Sequence, residues 1–503
     1  MESNGHKLIE YVSVLRENGL AAAEISASRS GLGRVVEHVS YDSNDIKKGT
    51  LFVCKGAHFS EEYLKDALRK GAFAYVSEKK YVLEGMDPHC VIVTDIRKAM
   101  VHVAGLFYNQ AWKKLKLVGI TGTKGKSTTV YFVKHILDCY LNSQNKHRSA
   151  FISSIDTYDG AVEEESRLTT PEAMVLHRHF SNATKSGIEY LTMEVSSQAL
   201  KYDRVPGIVF DVGCFLNIGE DHISSVEHPD FDDYFSSKLR LFKQCKAACV
   251  NLESDSAHDI LKSACANSPT VVTFGFDKDA DVCGYGAEAT ENGIRFSAKC
   301  TGFDSEFEIS MHGLFNAQNA LAAIAICRVL SIPADSIREG LKKTKVGGRM
   351  EIFTGKGLTV VVDYAHNKMS FESLFESTKK EFPGAEISIV FGCPGRKALG
   401  RRRELGEAAG KYADKTFITE EDAGEEPVTE ICEEIAEHVE NAGGSWEIIA
   451  DRGEAIRAAI ETAAEGSVVL VTGKGRETRQ KRGMEYVAVP SDVDYVKNCL
   501  GLT

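Results

Sequence analysis

The sequence lacks the closely paired cysteines that mark a structural zinc site or a disulfide framework. Its 13 cysteines are scattered over 503 residues, and the closest spacing is that of Cys245 and Cys249. Zinc fingers and ribbons need pairs such as C-x-x-C, and disulfide-rich secreted domains are short and dense in cysteine. We therefore expect free thiols and a reducing, cytoplasmic setting.

Two further absences narrow the class of protein. Residues 1–20 contain no signal peptide, and the chain has no long uncharged apolar run, so neither secretion nor membrane insertion is expected. The net charge is -12, which argues against a general nucleic-acid-binding role. The length exceeds that of one ordinary core and favours three domains.

Three α/β domains are expected, and the apolar pattern itself indicates the second and the third. Residues 1–113 form an N-terminal α/β domain, 114–344 a central P-loop ATPase domain with a mainly parallel sheet, and 345–503 a Rossmann-like α/β domain. A segment rich in Gly and charge, Lys343–Met350, is the expected hinge. The expected strands of the two later domains are Leu115–Ile120, Tyr190–Val195, Val209–Phe215, Ala248–Asn251, Leu358–Asp363, Ile387–Phe391, Thr416–Thr419 and Val468–Thr472.

The stretch from Gly119 to Thr129 predicts a phosphate-binding loop. It follows an apolar strand and precedes apolar residues at helical spacing, so glycine-rich backbone amides and a helix N-terminus can close around an anion. Lys126 can reach the β- and γ-phosphates, and the Ser127 hydroxyl can bind Mg²⁺. The strict pattern has Gly where this chain has Ile120, so an incidental Gly-Lys-Ser turn is the alternative.

Polar motifs follow the ends of several predicted strands, which is where ligands bind in doubly wound sheets. Glu194 stands at one such end and is expected to hold Mg²⁺, directly or through water. The alternative is a carboxylate that caps the next helix.

Three motifs resemble those of the Mur ligases and their folylpolyglutamate synthetase relatives. Thr121–Thr128 resembles T-G-T-N-G-K-T-T with Lys124 in place of Asn, and His312–Ala323 is close to H-G-x-F-N-x-x-N-A-L-A-A. Asp363–Asn367 matches D-Y-A-H-[NT]-P, with Lys368 in place of Pro. The resemblance implies a ligase that uses ATP and Mg²⁺ to activate a carboxylate as an acyl phosphate, which an amine then attacks.

The resemblance also implies roles for individual residues. Lys238 would be a solvated helix lysine by spacing alone, but Asp233–Phe242 resembles the segment in which the family carbamylates a lysine with CO₂. His222 follows an Asp as in the family's metal-binding D-H pair. The implied catalytic residues are Lys126, Lys238, His222 and Glu194. The implied metal ligands are Ser127, Glu194, His222 and carbamylated Lys238. The implied ATP-binding residues are Gly122, Thr123, Lys124, Gly125, Lys126, Ser127, Thr128, Asn316, Arg349 and Asp363.

Other segments resemble one branch, which adds a diamino acid to UDP-N-acetylmuramoyl-L-alanyl-D-glutamate. Residues 42–53 are similar to the D-S-R-x-V-x-x-G-x-L-F-V run that binds the UDP-sugar, with Asn44 in place of Arg, and Leu168–Pro171 is similar to N-T-T-P. The substrate residues that this implies are Ser43, Thr169, Thr170, Ser197 and Arg204.

The diamino acid is predicted from Thr419–Pro427, which has five acids and no Arg. Family members that add meso-diaminopimelate carry D-N-P-R there, whose Arg grips the distal carboxylate. A distal ammonium suits the acids better, so L-lysine, or ornithine, is expected over meso-diaminopimelate. At least half of the acids are expected to form a solvated loop. The expected amino-acid-binding residues are Arg396, Lys397, Asp422, Gly473 and Glu477.

Other functions remain open on the sequence. A folate or cyanophycin-type ligase shares the ATP motifs, and a non-catalytic homologue or a P-loop switch would share the fold. The expected partners are the UDP-muramoyl dipeptide, ATP and a diamino acid, with no nucleic acid and no membrane insertion, and the expected state is a monomer.

Overall fold

Three sheets with helices against their faces organise the chain in this computed structural model, which describes residues 5–26, 28–56, 59–221, 223–224 and 227–502. Among those residues, no helix is both long and apolar enough to cross a membrane. The predicted domain limits of 113–114 and 344–345 stay predictions, and both fall between strands of different sheets.

The N-terminal sheet has the order β1-β5-β4-β3-β2 and is parallel except where β1 runs against β5. The polar turn in residues 41–49 feeds a buried strand. The elements are α1 Leu8–Glu17, β1 Ala21–Ser26, α2 Arg29–Leu32, β2 His38–Ser40, β3 Thr50–Val53, α3 Glu61–Lys70, β4 Ala72–Ser77, β5 His89–Val93 and α4 Ile96–Phe107.

The central sheet has eleven strands in the order β16-β15-β14-β13-β12-β11-β6-β10-β7-β8-β9. Strands β7, β10, β6, β11, β12, β13 and β14 are parallel, whereas antiparallel strands extend both edges. Its elements are β6 Lys116–Thr121, α5 Lys126–Ser143, β7 Ala150–Ile152, β8 Asp156–Tyr158, β9 Glu163–Glu165, α6 Ala173–Lys185, β10 Tyr190–Glu194, α7 Ser197–Lys201, β11 Phe210–Phe215, α8 Phe231–Leu239, β12 Cys245–Asn251, α9 Ala257–Asn267, β13 Thr270–Gly275, β14 Val282–Thr290, β15 Gly293–Cys300, β16 Phe303–Ile309, α10 Asn316–Val329 and α11 Ala334–Lys343.

The C-terminal sheet has the order β17-β18-β22-β19-β20-β21, with β17 antiparallel and the rest parallel. A separate hairpin, β23–β24, lies beyond it. The elements are β17 Glu351–Gly355, β18 Leu358–Asp363, α12 Lys368–Glu381, β19 Ile387–Phe391, α13 Gly400–Tyr412, β20 Lys415–Ile418, α14 Val428–Asn441, β21 Trp446–Ile448, α15 Arg452–Thr462, β22 Val468–Thr472, β23 Arg479–Arg482, β24 Glu485–Ala488 and α16 Asp492–Leu500.

Both later sheets bury apolar side chains on each face, which explains why their central strands are almost continuously apolar. The sequence missed several strands, among them the antiparallel extension β14–β16, in which the exposed positions of β15 and β16 carry polar residues. The predicted helix over residues 233–242 begins two residues earlier, ends at Leu239 and continues as a 3₁₀ turn, Arg240–Gln244.

Candidate active site

The phosphate loop has the predicted strand–loop–helix form. Strand β6 ends at Thr121 and α5 begins at Lys126, so the loop leads directly into the positive end of a helix. Gly125 has a φ of +83°, and a Cβ there would lie 2.3 Å from Asn319 Oδ1, so no larger residue fits. The Lys126 ammonium folds over the loop and donates to the carbonyls of Gly122 and Thr123 at 2.9 and 3.1 Å.

Two of the predicted metal ligands are in direct contact. Ser127 Oγ donates to Glu194 Oε1 at 2.7 Å, and the same carboxylate oxygen accepts from the Ser154 amide at 2.7 Å. A hydroxyl and a carboxylate side by side are the hard oxygen donors that Mg²⁺ takes beside a nucleotide phosphate. Within the described ranges no three His, Cys, Asp or Glu side chains converge, and the third predicted ligand, His222, lies outside them.

Lys238 is buried, so the solvated lysine that its spacing alone predicts is wrong. Helix α8 carries its side chain under the phosphate loop, where Nζ donates to the Gly122 carbonyl at 2.8 Å. Burial and the nearby Lys126 charge hold the pKa of Lys238 well below its usual range. Both effects favour the neutral amine, which is the nucleophilic form.

A cavity of about 360 Å³ lies between the phosphate loop and the beginning of the C-terminal sheet. Nine of the ten predicted ATP-binding residues line it, whereas Gly122 contributes its carbonyl behind the loop. Thr169, predicted to contact the peptidyl substrate, lines the same cavity. The nine lining residues are Thr123, Lys124, Gly125, Lys126, Ser127, Thr128, Asn316, Arg349 and Asp363.

Hydrogen bonds within the protein orient the cavity's polar groups. Asn316 donates to the His312 carbonyl at 2.7 Å and accepts from Asn319 at 2.9 Å, which leaves one N–H and one lone pair of its amide for a ligand. Asp363 is buried and accepts from the backbone amides of Met350 and Ala365, both at 2.8 Å. Burial raises the pKa of Asp363, and these bonds and Arg349 oppose the rise.

The predicted substrate residues of the central sheet cluster beside Glu194. Thr170 Oγ1 donates to the Glu194 carbonyl at 2.9 Å, and Arg204 donates to the Thr170 carbonyl at 3.0 Å. Arg204 also pairs with Glu172, which Lys55 of the N-terminal sheet contacts at 2.5 Å. The cluster therefore joins the two sheets next to the phosphate loop.

Ser197 belongs to a chain of hydrogen bonds that the sequence did not suggest. His228 Nε2 lies 3.0 Å from Ser197 Oγ, and His228 Nδ1 lies 2.6 Å from Asp233 Oδ2. The Asp233 carboxylate fixes the imidazole and so the direction of the serine hydroxyl. Ser43 lies in the N-terminal part, where its carbonyl accepts from Lys70 at 2.9 Å.

The predicted amino-acid-binding acids are bridged by a lysine that the prediction did not include. Lys474 is buried and contacts Asp422 Oδ1 at 3.1 Å and Glu477 Oε2 at 2.6 Å. Tyr364 donates to the other oxygen of Glu477 at 2.7 Å. Gly473 has a φ of +106°, and a Cβ there would lie 2.2 Å from a Glu421 oxygen.

The expectation that at least half of the loop acids are solvated is wrong. Of the five acids only Glu425 is exposed, and it pairs at 2.8 Å with Arg396, which is exposed too; Lys397 is also exposed. Glu420 is buried and pairs with Arg482 at 2.5 Å. Glu421 is also buried, and burial raises its pKa to about 7 against the opposing charges of nearby Arg and Lys side chains.

Charged residues connect the central and C-terminal sheets at the edge of the cavity. Asp221 pairs with Arg401 of α13 at 2.6 Å and accepts from Asn367 at 2.9 Å. The sequence pointed to the Asp-His pair but not to Arg401, which stands in an Arg-Arg-Arg run at the start of α13.

Comparison with known proteins matches two family models. The Mur ligase middle domain matches residues 120–327, and the Mur ligase glutamate ligase domain matches residues 348–475. The chain is 38% identical to the UDP-N-acetylmuramoyl-L-alanyl-D-glutamate–L-lysine ligase of Enterococcus faecalis, covering 89% of this chain and 88% of the relative. It is 39% identical to the ligase of the same name from Streptococcus thermophilus, covering 94% of each.

A solved structure shares the fold. The structure of a UDP-N-acetylmuramoyl-L-alanyl-D-glutamate–2,6-diaminopimelate ligase aligns over 99% of both chains with a TM-score of 0.66 and 22% sequence identity. At that identity the likeness shows the arrangement of the three sheets and carries no argument about substrate.

Proposed function

The chain belongs to the Mur ligase family, and from that premise we propose that it is an ATP-dependent ligase that joins L-lysine to UDP-N-acetylmuramoyl-L-alanyl-D-glutamate in peptidoglycan precursor synthesis. The observation that carries the reaction type is a cavity in which the phosphate loop, Glu194 and the Asp363 segment meet. The observations that carry the amino acid are the names of the relatives and the acids around Lys474.

ATP would lie in the 360 Å³ cavity with its phosphates on the loop. The Lys126 ammonium, which now covers the loop carbonyls, would move onto the β- and γ-phosphates. Asn316 would use its remaining N–H and lone pair on the adenine edge, and Arg349 and Asp363 would face the ribose or phosphates. Phosphoryl transfer depends mainly on such positioning and charge stabilisation.

Ser127 and Glu194 would hold Mg²⁺, and the family resemblance implies His222 as a further ligand. Bound there, Mg²⁺ supplies positive charge that offsets the repulsion between a carboxylate and a triphosphate. The direct contact between Ser127 and Glu194 supports this assignment, because it places the two oxygens side by side, 2.7 Å apart.

Lys238 would carry the carbamate that the resemblance implies. In its neutral form the amine can add CO₂ and release one proton, forming an N–C bond and a carboxylate-like anion. The burial that lowers the pKa of Lys238, and so favours the neutral amine, supports this reaction, and the contact with Gly122 sets the amine beneath the phosphate loop. The new oxygen donors would add negative charge next to Lys126 and the metal site.

The carboxylate to be activated would lie by Thr169, Thr170 and Arg204. Thr169 lines the nucleotide cavity, and Thr170 and Arg204 are bonded to each other beside Glu194. The γ-carboxylate of D-glutamate would attack the γ-phosphorus there, releasing ADP and leaving an acyl phosphate. The α-amine of lysine would then attack the acyl carbon, phosphate would leave, and the amine proton would pass to solvent or a base.

The distal ammonium of lysine would face Glu421, Asp422 and Glu477, and Arg396 or Lys397 would hold its α-carboxylate. Glu421 supports this assignment because its carboxyl group is buried and poorly stabilised as an anion. A ligand ammonium would favour its ionised form.

Release of ADP, measured with the UDP-muramoyl dipeptide and a panel of amino acids, tests the proposal. We expect kcat/KM for L-lysine to exceed those for ornithine and meso-diaminopimelate. A higher kcat/KM for meso-diaminopimelate would overturn the lysine assignment alone. A lack of dipeptide-dependent ADP release would point instead to a non-catalytic homologue.

A further inference from the structure

Lys124 stands in the phosphate loop, where hydrogen bonds to its backbone, and not to its side chain, hold it in place. Asn217 Oδ1 accepts from the amides of Thr123 and Lys124 at 3.1 and 3.0 Å, and Asn217 Nδ2 donates to the Lys124 carbonyl at 3.1 Å. One side chain thus fixes the peptide on both sides of the residue, which leaves the lysine side chain free to serve another contact.

That side chain leaves the loop and reaches α12 of the C-terminal sheet. Lys124 Nζ donates to the Met369 carbonyl at 3.1 Å and to Ser373 Oγ. Ser373 also donates to the Met369 carbonyl at 2.8 Å, so the ammonium joins a bond that already exists within the first turns of the helix. Both Lys124 and Ser373 line the nucleotide cavity.

The charges around the ammonium favour this position. Glu372 and Glu376 of the same helix, with Asp255 and Asp363, stabilise the protonated lysine. Burial works in the opposite direction and lowers the pKa of Lys124 to about 8. The ammonium is therefore still mostly protonated at pH 7 while it contacts the helix.

The same helix start meets the central sheet at two other points. The Met369 methyl group packs against Gly219 so closely that a Cβ added to Gly219 would lie 2.2 Å from it. Asn367, which caps α12, donates to Asp221 at 2.9 Å. The contacts of Lys124, Gly219 and Asp221 therefore dock the first turns of α12 beside the phosphate loop.

We propose that Lys124 is a positioning residue that ties the phosphate loop to α12, so that the C-terminal sheet closes over the nucleotide in the orientation needed for the amine to reach the acyl phosphate. The proposal rests on the proposed function for its kinetic consequence. It assigns to Lys124 a contact with the protein in place of the phosphate contact that its position in the loop suggests.

The kinetic test compares Lys124→Met, Lys124→Arg and Ser373→Ala with the control Lys380→Met, which removes an exposed lysine from the end of the same helix. We expect Lys124→Met to lower kcat/KM for lysine ten- to hundredfold at saturating ATP, with the Kd of an ATP analogue changed less than threefold. Lys124→Arg should recover most of the loss. The Ser373→Ala defect should largely disappear in the Lys124→Met background, because both changes remove the same bond.

A second measurement needs no turnover. Small-angle scattering with Mg²⁺ and a non-hydrolysable ATP analogue should show that Lys124→Met has a larger radius of gyration than the Lys380→Met control. Equal radii of gyration for the two variants would overturn the proposal. So would a tenfold weaker affinity of Lys124→Met for the ATP analogue, combined with kinetic effects of the Lys124 and Ser373 variants that simply add. Failure of the unmodified protein to ligate lysine would instead refute the proposed function and leave the scattering comparison to decide the role of Lys124.

Discussion

Replacing Glu421 with glutamine removes a buried carboxyl group and keeps its shape. Glu421 follows β20, and burial raises its pKa from 4.5 to about 7 although Arg452, Lys474 and Arg401 oppose the rise. In the unfolded chain the same group ionises near its ordinary pKa, so between pH 4.5 and 7 the folded protein holds the extra proton. Stability from this group is therefore fully present below pH 4.5 and is lost as the pH rises through about 7.

The size of the effect follows from the two pKa values. A change from 4.5 to about 7 corresponds to at most about 3 kcal/mol, of which about 2–3 kcal/mol falls between pH 5 and pH 8. Glutamine does not titrate. From pH 5 to pH 8 the free energy of unfolding of Glu421→Gln should therefore rise by that amount relative to that of the unmodified protein. For a unit of the size of the C-terminal domain, the difference in Tm between the variant and the unmodified protein should widen by roughly 5–10 °C over the same pH range.

Fluorescence can isolate the relevant sheet, because the chain has only two tryptophans and Trp446 lies in β21. In a Trp112→Phe background, thermal unfolding followed at Trp446 would report on the C-terminal sheet. Glu425→Gln is the matched control, since this acid of the same loop is exposed and its surface pair with Arg396 is worth at most about 1 kcal/mol. A Tm gap for Glu421→Gln that does not depend on pH would refute the reasoning.

The remaining predictions concern the reaction. Lys126→Ala should fold with an unchanged Tm and lose at least about a hundredfold in ligation rate, because the phosphates lose their clamp; near-normal ligation would contradict the role. Lys238→Ala should be nearly inactive and be partly rescued by formate or acetate, whereas full activity without additives would exclude a carbamate. Arg401→Met should lower kcat more than it weakens binding of an ATP analogue, because the pair of Arg401 with Asp221 joins two sheets. The surface variant Arg403→Met is the control, and equal effects of the two variants would show that the pair is dispensable.

Local pattern was enough to predict the phosphate loop. Strand, glycines, lysine and helix follow one another within about a dozen residues, and each is determined by neighbours in sequence. The strand ends that hold Glu194 and Asp363 were likewise visible, because buried parallel strands are continuous apolar runs.

Contacts between distant segments were not predictable in this way. Lys238 looks solvated on a helical wheel, yet α8 passes under the loop and buries it. The loop acids look solvated because their partners Arg482 and Lys474 stand some 50 to 60 residues later in the chain. Such burial depends on how elements dock, and spacing within one element carries no signal for it.

The charge around Lys474 bears on the choice of amino acid once these partners are known. Asp422 and Glu477 share Lys474, and Asp492 holds Arg452 at 2.6 Å, so each cation is already paired. The four acids of this group, Glu421 included, exceed its two cations by two charges, or by one when Glu421 is protonated. A distal carboxylate would meet a net negative charge in either state, whereas a distal ammonium would relieve it and draw Glu421 into its ionised form. The preference for lysine over meso-diaminopimelate is thus expected to increase above pH 7, where Glu421 ionises in the unliganded protein and adds the second unbalanced negative charge.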